Sequence, residues 1–335
     1  MARGAISALP DAVLNVVPVA DGGQGTVEVL MEAIGDRVQE IVVRGPTGKV
    51  SSVAVATLSD GSRVIGSSIP PHMALDPLGA STTYVGEAMS FLGATEGVVV
   101  VGVGGTISTD GGTGAARATG WRFLDDKGRD LPLGGGALNR LHEIVPPEKT
   151  WGLSVVGACD VDIPLRGPGG CVQVFSPQKG AGDAERRSLE RALESLQERI
   201  AVDLGIDVEG LPFAGAGGGL GAGLHAFFGA QLVSGARYVL ERVGFDAALS
   251  DADVVLTGEG NLDAQSLAGK APGEVACAAA ARGIPCLAVA GSVELSEDEW
   301  RGAGFARVVE ASDGGSDAAA RVELAARDLL QRDIF

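Results

Sequence analysis

Five acidic residues stand just past apolar, β-branched runs and among glycines. They are Asp21 in VADGGQGT, Asp110 in GGTISTDGGTG, Asp160 in ACDVDIPL, and Glu259 and Asp263 in TGEGNLDAQS. A carboxylate in such a position can cap a helix or shape a turn. Several of them in one cleft suit Mg²⁺, which takes oxygen ligands and bridges to phosphate. The neighbouring glycines let a ligand approach the backbone. The lysines narrow the chemistry. Of 26 basic residues only five are lysine, at 49, 127, 149, 179 and 270. Lys49 and Lys127 fall in hairpin-type turns. Lys179 in FSPQKGA and Lys270 in LAGKAP stand beside glycine at expected helix starts. There a compact ammonium and free backbone N–H groups can meet phosphate oxygens together.

The elements that would carry these residues repeat one plan: an apolar run, a loop of glycine and acid, then an Ala/Leu-rich helical stretch. LNVVPVA leads through DGGQGT to VEVLMEAIG, and GVVVVGV leads through the Asp110 loop to AARATG. SVVGACDV, DADVVL and IPCLAVAG read as further buried strands, and GKAPGEVACAAAARG as a helix. Continuous apolar strands alternating with helices indicate an α/β protein with a largely parallel sheet, whose ligands gather beyond the strand carboxyl ends. EIVVRGPTGKVSSVAVATLSDGSRVIG instead alternates and turns at GPTGK and SDGS, as antiparallel hairpins do. AERRSLERALESLQERIAVDL has the apolar spacing of an amphipathic helix. The expected fold is a Rossmann-like parallel-sheet domain formed by 1–40 and 180–335, with 41–179 as a second, mixed α/β domain.

Composition excludes several classes. Net charge is −17 with no basic cluster, which speaks against a nucleic-acid partner. No apolar run reaches the length of a membrane span, and MARGAISALPDAVLNVVPV lacks the parts of a signal peptide. A cytoplasmic protein is expected. Cys159, Cys171, Cys277 and Cys286 have no C-x-x-C spacing and read as free, mostly buried thiols. G-x-G-x-x-G, Walker A and G-x-S-x-G motifs are absent. His72, His142 and His225 form no H-x-x-x-H pair; His142 reads as a surface helix residue and His225 as a packed one. The residues alone therefore point to a phosphate- and Mg²⁺-handling α/β enzyme without a standard nucleotide fingerprint.

PVADGGQGT, GVGGTISTDGGTG, ACDVDIPLRGPGG, FSPQKGA, GAGGGLGAGL and LTGEGNLDAQSLAGKAP, in that order, resemble the bacterial glycerate kinase family, type 1. The resemblance implies transfer of phosphate from MgATP to D-glycerate, giving 2-phosphoglycerate, in a cleft between two α/β domains. It implies nucleotide, Mg²⁺ or phosphate contacts at Gly104, Gly105, Asp110, Gly258, Glu259, Asp263, Gln265 and Ser266, with Asp110, Glu259 and Asp263 as metal ligands. It places Asp21, Asp160, Lys179 and Lys270 in catalysis, and Gly22, Gly23, Thr26 and Gln178 at a small-molecule substrate. Asp160 or Asp21 is expected to orient the acceptor hydroxyl or take its proton.

The chain also departs from that pattern. It begins past the family's APDSFKGSLSA loop, so the first strand of the Rossmann-like sheet is expected to be missing. An exposed sheet edge invites pairing with a second copy, and a homodimer is the expected remedy. IGSSIPPHMAL stands where the family has about IEMAxAxGL, with Gly66 for glutamate and the segment reworked by Pro70 and Pro71; His72 beside them could line a site. Thr109 and Ile163 replace asparagine, and Asn261 replaces arginine. Three readings stay open: a working kinase completed by an upstream segment, a kinase for another small hydroxy acid, and a nucleotide-binding protein without turnover.

Overall fold

The computed structural model describes residues 1–68, 75–93, 97–149, 152–311 and 317–331; Pro70, Pro71 and His72 lie outside the described residues. In chain order the elements are α1 (Ala2–Ala8), α2 (Thr26–Ile34), β1 (Gly35–Arg44), β2 (Val50–Leu58), β3 (Arg63–Gly66), α3 (Thr83–Phe91), β4 (Val98–Val103) and α4 (Thr113–Ala118). Then come β5 (Arg122–Leu124), β6 (Glu143–Val145), β7 (Ser154–Cys159), α5 (Cys171–Phe175), α6 (Asp183–Arg199), α7 (Ala216–Phe228), β8 (Gln231–Ser234) and α8 (Gly235–Arg242). The last are α9 (Phe245–Ser250), β9 (Val255–Leu262), α10 (Ala264–Leu267), α11 (Ala271–Ala280), β10 (Cys286–Val293), α12 (Glu297–Gly302), β11 (Phe305–Glu310) and α13 (Ala318–Gln331). Two compact units result, one of residues 20–239 and one of residues 1–19 with 240–335.

The larger unit is built on a six-stranded sheet in the order β1-β2-β3-β4-β7-β8. The expected hairpins are present. β1 and β2 pair antiparallel across a turn in which Gly45 N–H donates to the Lys49 carbonyl at 2.7 Å, and β2 pairs antiparallel with β3. From β3 onward the strands run parallel. β4, VVVVGV, is buried along all but its first residue, as a central parallel strand must be. Tyr84 and Met89 of α3 and Leu220 and Leu224 of α7 join its valines in one core. A second core forms on α6. Leu189, Leu193, Leu196 and Ile200 recur at helical spacing and pack on Phe123, Leu138 and Ala226. Each such leucine contributes about 1.5–3 kcal/mol by leaving water.

The smaller unit holds a three-stranded parallel sheet, β11-β10-β9. Alternate residues of β10 face opposite ways, as a strand requires. Cys286, Ala288 and Ala290 pack with α11 residues Val275, Ala276 and Ala279. Leu287 and Val289 pack with Ala5 of α1 and Ala326 and Leu329 of α13. Helices therefore cover both faces of this sheet.

Four expectations need correction. The boundaries expected at 40 and 180 lie inside the larger unit. Residues 180–239 belong there because the apolar faces of α6 and α7 close its two cores, and residues 20–40 because α2 and β1 pack on β2. LNVVPVA forms no strand; Pro18 has no N–H to donate to a ladder, and Val17 and Val19 instead pack beside the smaller unit's core. The strand that begins in DADVVL does not stop before GEGNL. It continues to Leu262, because Gly258, Glu259, Asn261 and Leu262 pair with Val289, Ala290, Ser292 and Val293 of β10. His142 lies outside any helix, on the segment leading into β6, where its N–H donates to the Leu124 carbonyl at 2.8 Å.

Candidate active site

In the larger unit, parallel pairing sets the carboxyl ends of β4 and β7 side by side, with Val103 opposite Cys159. Gly104 and Asp160 are the next residues, and Asp160 N–H donates to the Val103 carbonyl at 3.2 Å. The Asp160 carboxylate lies against Gly104: a Cβ added there would stand 2.5 Å from Asp160 Oδ2 and 2.7 Å from Gly23 Cα. Only glycine fits. Gly23 faces two carboxylates, since its own Cβ would be 3.1 Å from Asp21 Oδ1 and 3.8 Å from Asp160 Oδ2. Asp21, Gly22, Gly23, Gly104 and Asp160 are thus brought together. Gly22 packs against the Ala158 carbonyl with φ +98. Thr26 closes the same loop from inside: its hydroxyl accepts from Gly22 N–H at 3.1 Å and donates to the Gly23 carbonyl at 2.8 Å. Both capacities of this buried hydroxyl serve the turn, which makes Thr26 a positioning residue in this arrangement.

Asp110 has no open face. It is fully buried and accepts from Thr82 N–H at 2.8 Å, the Thr82 hydroxyl, the Ser81 hydroxyl at 3.1 Å, and the N–H groups of Gly112 and Gly114. Burial pushes its carboxyl up from the usual range while the donors from Thr82, Gly114 and Ser81 act against that. Its oxygens fasten the glycine loop to the start of α3, so the expected metal-ligand role goes instead to a structural one. Ser81 and Thr82 were not among the expected site residues. The hydroxyl run STT before a helix was the signal, but it reads first as an N-cap.

Lys179 sits on a tight turn, Pro177–Lys179, and is only 6% exposed. Its Nζ donates to the Ser108 carbonyl at 2.6 Å and lies 3.4 Å from Thr106 Oγ1. Of three left-handed glycines at the start of α7, Gly217, Gly218 and Gly219, the middle one lies against it; a Cβ on Gly218 would be 3.0 Å from Nζ. The Thr106 hydroxyl donates to the Gly217 carbonyl at 3.0 Å and Gly111 N–H to the Gly218 carbonyl at 3.2 Å. Burial pulls the Lys179 ammonium down to about 8, against the opposing pull of Cys171, Asp160 and Asp110. The adjacent Gln178 is exposed and Gly105 is exposed with φ +65.

The smaller unit carries the other expected residues. Glu259 is half-buried within β9. Gly258 faces the neighbouring strand, where a Cβ would lie 2.1 Å from the Val289 carbonyl oxygen. Asp263 and Ser266 form a capping box on α10: Asp263 Oδ1 accepts from Gln265 N–H at 2.8 Å, and Ser266 Oγ accepts from Asp263 N–H at 3.0 Å. Asn261 donates to Glu294 at 3.1 Å and to Asp263 Oδ2 at 3.3 Å, and accepts from the Ser292 hydroxyl at 2.7 Å. Half-buried Lys270 is the N-cap residue of α11, with Pro272 in the first turn. Ile163 is half-buried. It packs between the two cores of the larger unit, with its carbonyl accepting from Gly215 N–H at 2.9 Å.

Among the described residues no three His, Cys, Asp or Glu side chains converge on a metal position. Mg²⁺ is often held by one or two carboxylates together with phosphate oxygens and water. The Asp21 and Asp160 carboxylates flanking Gly23 fit that mode. No helix among the described residues is long and apolar enough to cross a membrane.

A carboxylate at the end of a parallel strand, beside a second one on a glycine loop, makes up the kind of site that an α/β phosphotransferase with an alcohol acceptor needs. Comparison with known proteins defines it further. The family model for the glycerate kinase family matches residues 1–333. A glycerate kinase of Halalkalibacterium halodurans is 38% identical over 307 residues, 87% of this chain and 80% of that protein. A glycerate 2-kinase of Escherichia coli K12 is 36% identical over 306 residues, 87% of this chain and 79% of that protein. A crystal structure from Salmonella typhimurium LT2, provisionally named glycerate kinase 2, superposes with a TM-score of 0.77 at 34% identity, covering 98% of this chain and 90% of that one. The chain belongs to the glycerate kinase family.

Proposed function

We propose that the chain transfers the terminal phosphoryl group of ATP to a hydroxyl of D-glycerate, giving 2-phosphoglycerate. The observation that carries this reading is the Asp160 carboxylate set against Gly104 and Gly23 beside Asp21. Asp160 orients the acceptor hydroxyl and takes its proton as the O–P bond forms. Glycine at 23 and 104 lets the backbone of both loops close on that carboxylate. Asp21 and Asp160 would hold Mg²⁺, which when bound neutralises charge on the phosphate oxygens. Lys270 and the first turn of α11 offer a cation and N–H groups to phosphate. Phosphoryl transfer asks mainly for positioning and charge neutralisation, which these groups supply.

The test is to incubate the purified chain with MgATP and D-glycerate and follow ADP and phosphoglycerate by mass spectrometry. Glycerate-dependent product is expected from the wild type, and at least about a hundredfold less from Asp160→Ala, since removing a general base costs about 10²–10⁴ in rate. ADP release that does not depend on glycerate, with no phosphoglycerate, sinks the reading.

A further inference from the structure

Ser67 and Ser68 follow directly on β3, and neither stands out by spacing. The structure places both at the glycine loop that flanks Asp160. Ser67 N–H donates to the Gly102 carbonyl at 3.0 Å, which prolongs the β3–β4 pairing by one residue. Its buried hydroxyl then reaches across to Gly104. It lies 3.2 Å from Gly104 N, from which it accepts, and 3.2 Å from Gly104 O, to which it donates. One side chain thus satisfies both backbone groups of one residue. Tyr84 of α3, fully buried, donates its hydroxyl to the Ser67 carbonyl at 2.6 Å. Burial and the nearby Asp110 push that phenol above its ordinary range, so it remains a neutral donor.

Gly104 has no room to move, since a Cβ there would stand 2.5 Å from Asp160 Oδ2 and 2.7 Å from Gly23 Cα. Any shift of Gly104 therefore changes the surroundings of the Asp160 carboxylate. Ser68 is half-buried, and its Oγ lies 2.6 Å from where a Cβ on Gly105 would be. It stands over an exposed glycine, one residue from the wall of the acceptor site.

We propose that Ser67 and Tyr84 form a clasp that positions Gly104 against the Asp160 carboxylate, and that Ser68 donates its hydroxyl to a carboxylate or hydroxyl oxygen of the acceptor. This rests on the reading of Asp160 as the acceptor site. Ser67 and Tyr84 are positioning residues; Ser68 is a binding residue. No proton or phosphoryl group passes through any of the three.

The experiment combines steady-state kinetics with MgATP and D-glycerate and hydrogen exchange at the Gly104 amide. The variants are Ser67→Ala, Tyr84→Phe, Ser68→Ala and Ser68→Thr. Ser67→Ala and Tyr84→Phe are expected to lower kcat by about tenfold or more, as small misplacements of reacting groups do. KM for ATP should stay within about twofold of wild type, and the Gly104 amide should exchange faster. Ser68→Ala should raise KM for glycerate by about tenfold, the size of one hydrogen bond to a charged group, with kcat kept. Ser68→Thr, which retains the hydroxyl, should restore it. Unchanged kcat and unchanged Gly104 exchange in Ser67→Ala overturn the clasp. An unchanged KM in Ser68→Ala overturns the contact. Should Ser67→Ala fail to fold, Tyr84→Phe keeps the ring volume and decides the clasp alone. A wild type inactive on glycerate overturns the acceptor reading and the Ser68 contact with it, while Gly104 exchange still decides the clasp.

Discussion

At Lys179 a cation is held where solvation is poor, and the consequence can be read against pH. Its ammonium is pulled down to about 8 by burial, from an ordinary 10.5. Between those values the unfolded chain binds more protons than the folded one, so stability rises with pH across that window, and the buried cation costs stability below it. Lys179→Met removes this dependence. Urea unfolding of the two proteins from pH 7 to 10.5 should show the wild type gaining on the variant as pH rises; a constant difference would contradict the assignment. If the cation is what steadies the Ser108 carbonyl, kcat should also fall above about pH 8. The rarity of lysine singled this residue out in the sequence, but the phosphate contact expected of it did not account for Ser108. That carbonyl comes from a segment more than seventy residues away, and local spacing cannot reveal it. Asp110 is a similar case. Glycines on either side marked it as a ligand-loop acid, whereas its partners Ser81 and Thr82 come from the start of another helix.

At the scale of elements, the start of α7 is the most constrained piece of backbone around the site. Gly218 combines φ +69 with no room: a Cβ would be 2.2 Å from the Ser108 carbonyl oxygen. Gly229, which ends α7 with φ +63, faces open space. Gly229→Ala should therefore cost only the left-handed penalty, about 1 kcal/mol. Gly218→Ala should cost that plus a backbone clash, about 3 kcal/mol or more, and should also disturb Lys179. Denaturant midpoints of the two variants give the comparison, and equal losses would mean that the packing of Gly218 against Lys179 is loose. In the smaller unit the capping box separates cap from charge. Asp263→Asn should keep α10 because asparagine caps as well as aspartate, whereas Asp263→Ala should cost about 1 kcal/mol. If kinetics respond to the alanine change alone, Asp263 acts by holding α10 and not by its charge. The strands and helices themselves were largely legible, since β4, α6 and α11 follow from apolar runs and helical spacing. The length of β9 was not. Glycine and polar residues at 258–261 read as loop until β10 is present to pair with them.

For the whole molecule, the candidate residues divide between two compact units. Asp21, Gly104, Asp160, Lys179 and the Ser67 clasp belong to the larger, and Glu259, Asp263 and Lys270 to the smaller. The α/β class followed from the sequence, yet the division into 20–239 and the remainder did not, because it depends on which core α6 and α7 complete. The division makes the two ligands separable. Hydrogen exchange followed by mass spectrometry, with glycerate alone and MgATP alone, should show protection in different places. Glycerate should slow exchange around 67–68 and 102–105, which flank Asp160, if Asp160 holds the acceptor as proposed. MgATP should slow it around 264–274, where α10 ends and α11 begins with backbone N–H groups that phosphate can take. The net charge of −17 adds a condition, because both ligands are anions approaching an anionic protein. Moderate salt should therefore lower KM for glycerate by screening that repulsion, until it begins to screen the local contacts as well. Protection by MgATP confined to the larger unit would remove Lys270 and the start of α11 from the phosphate site and leave the nucleotide to the loops around Gly104 and Gly217.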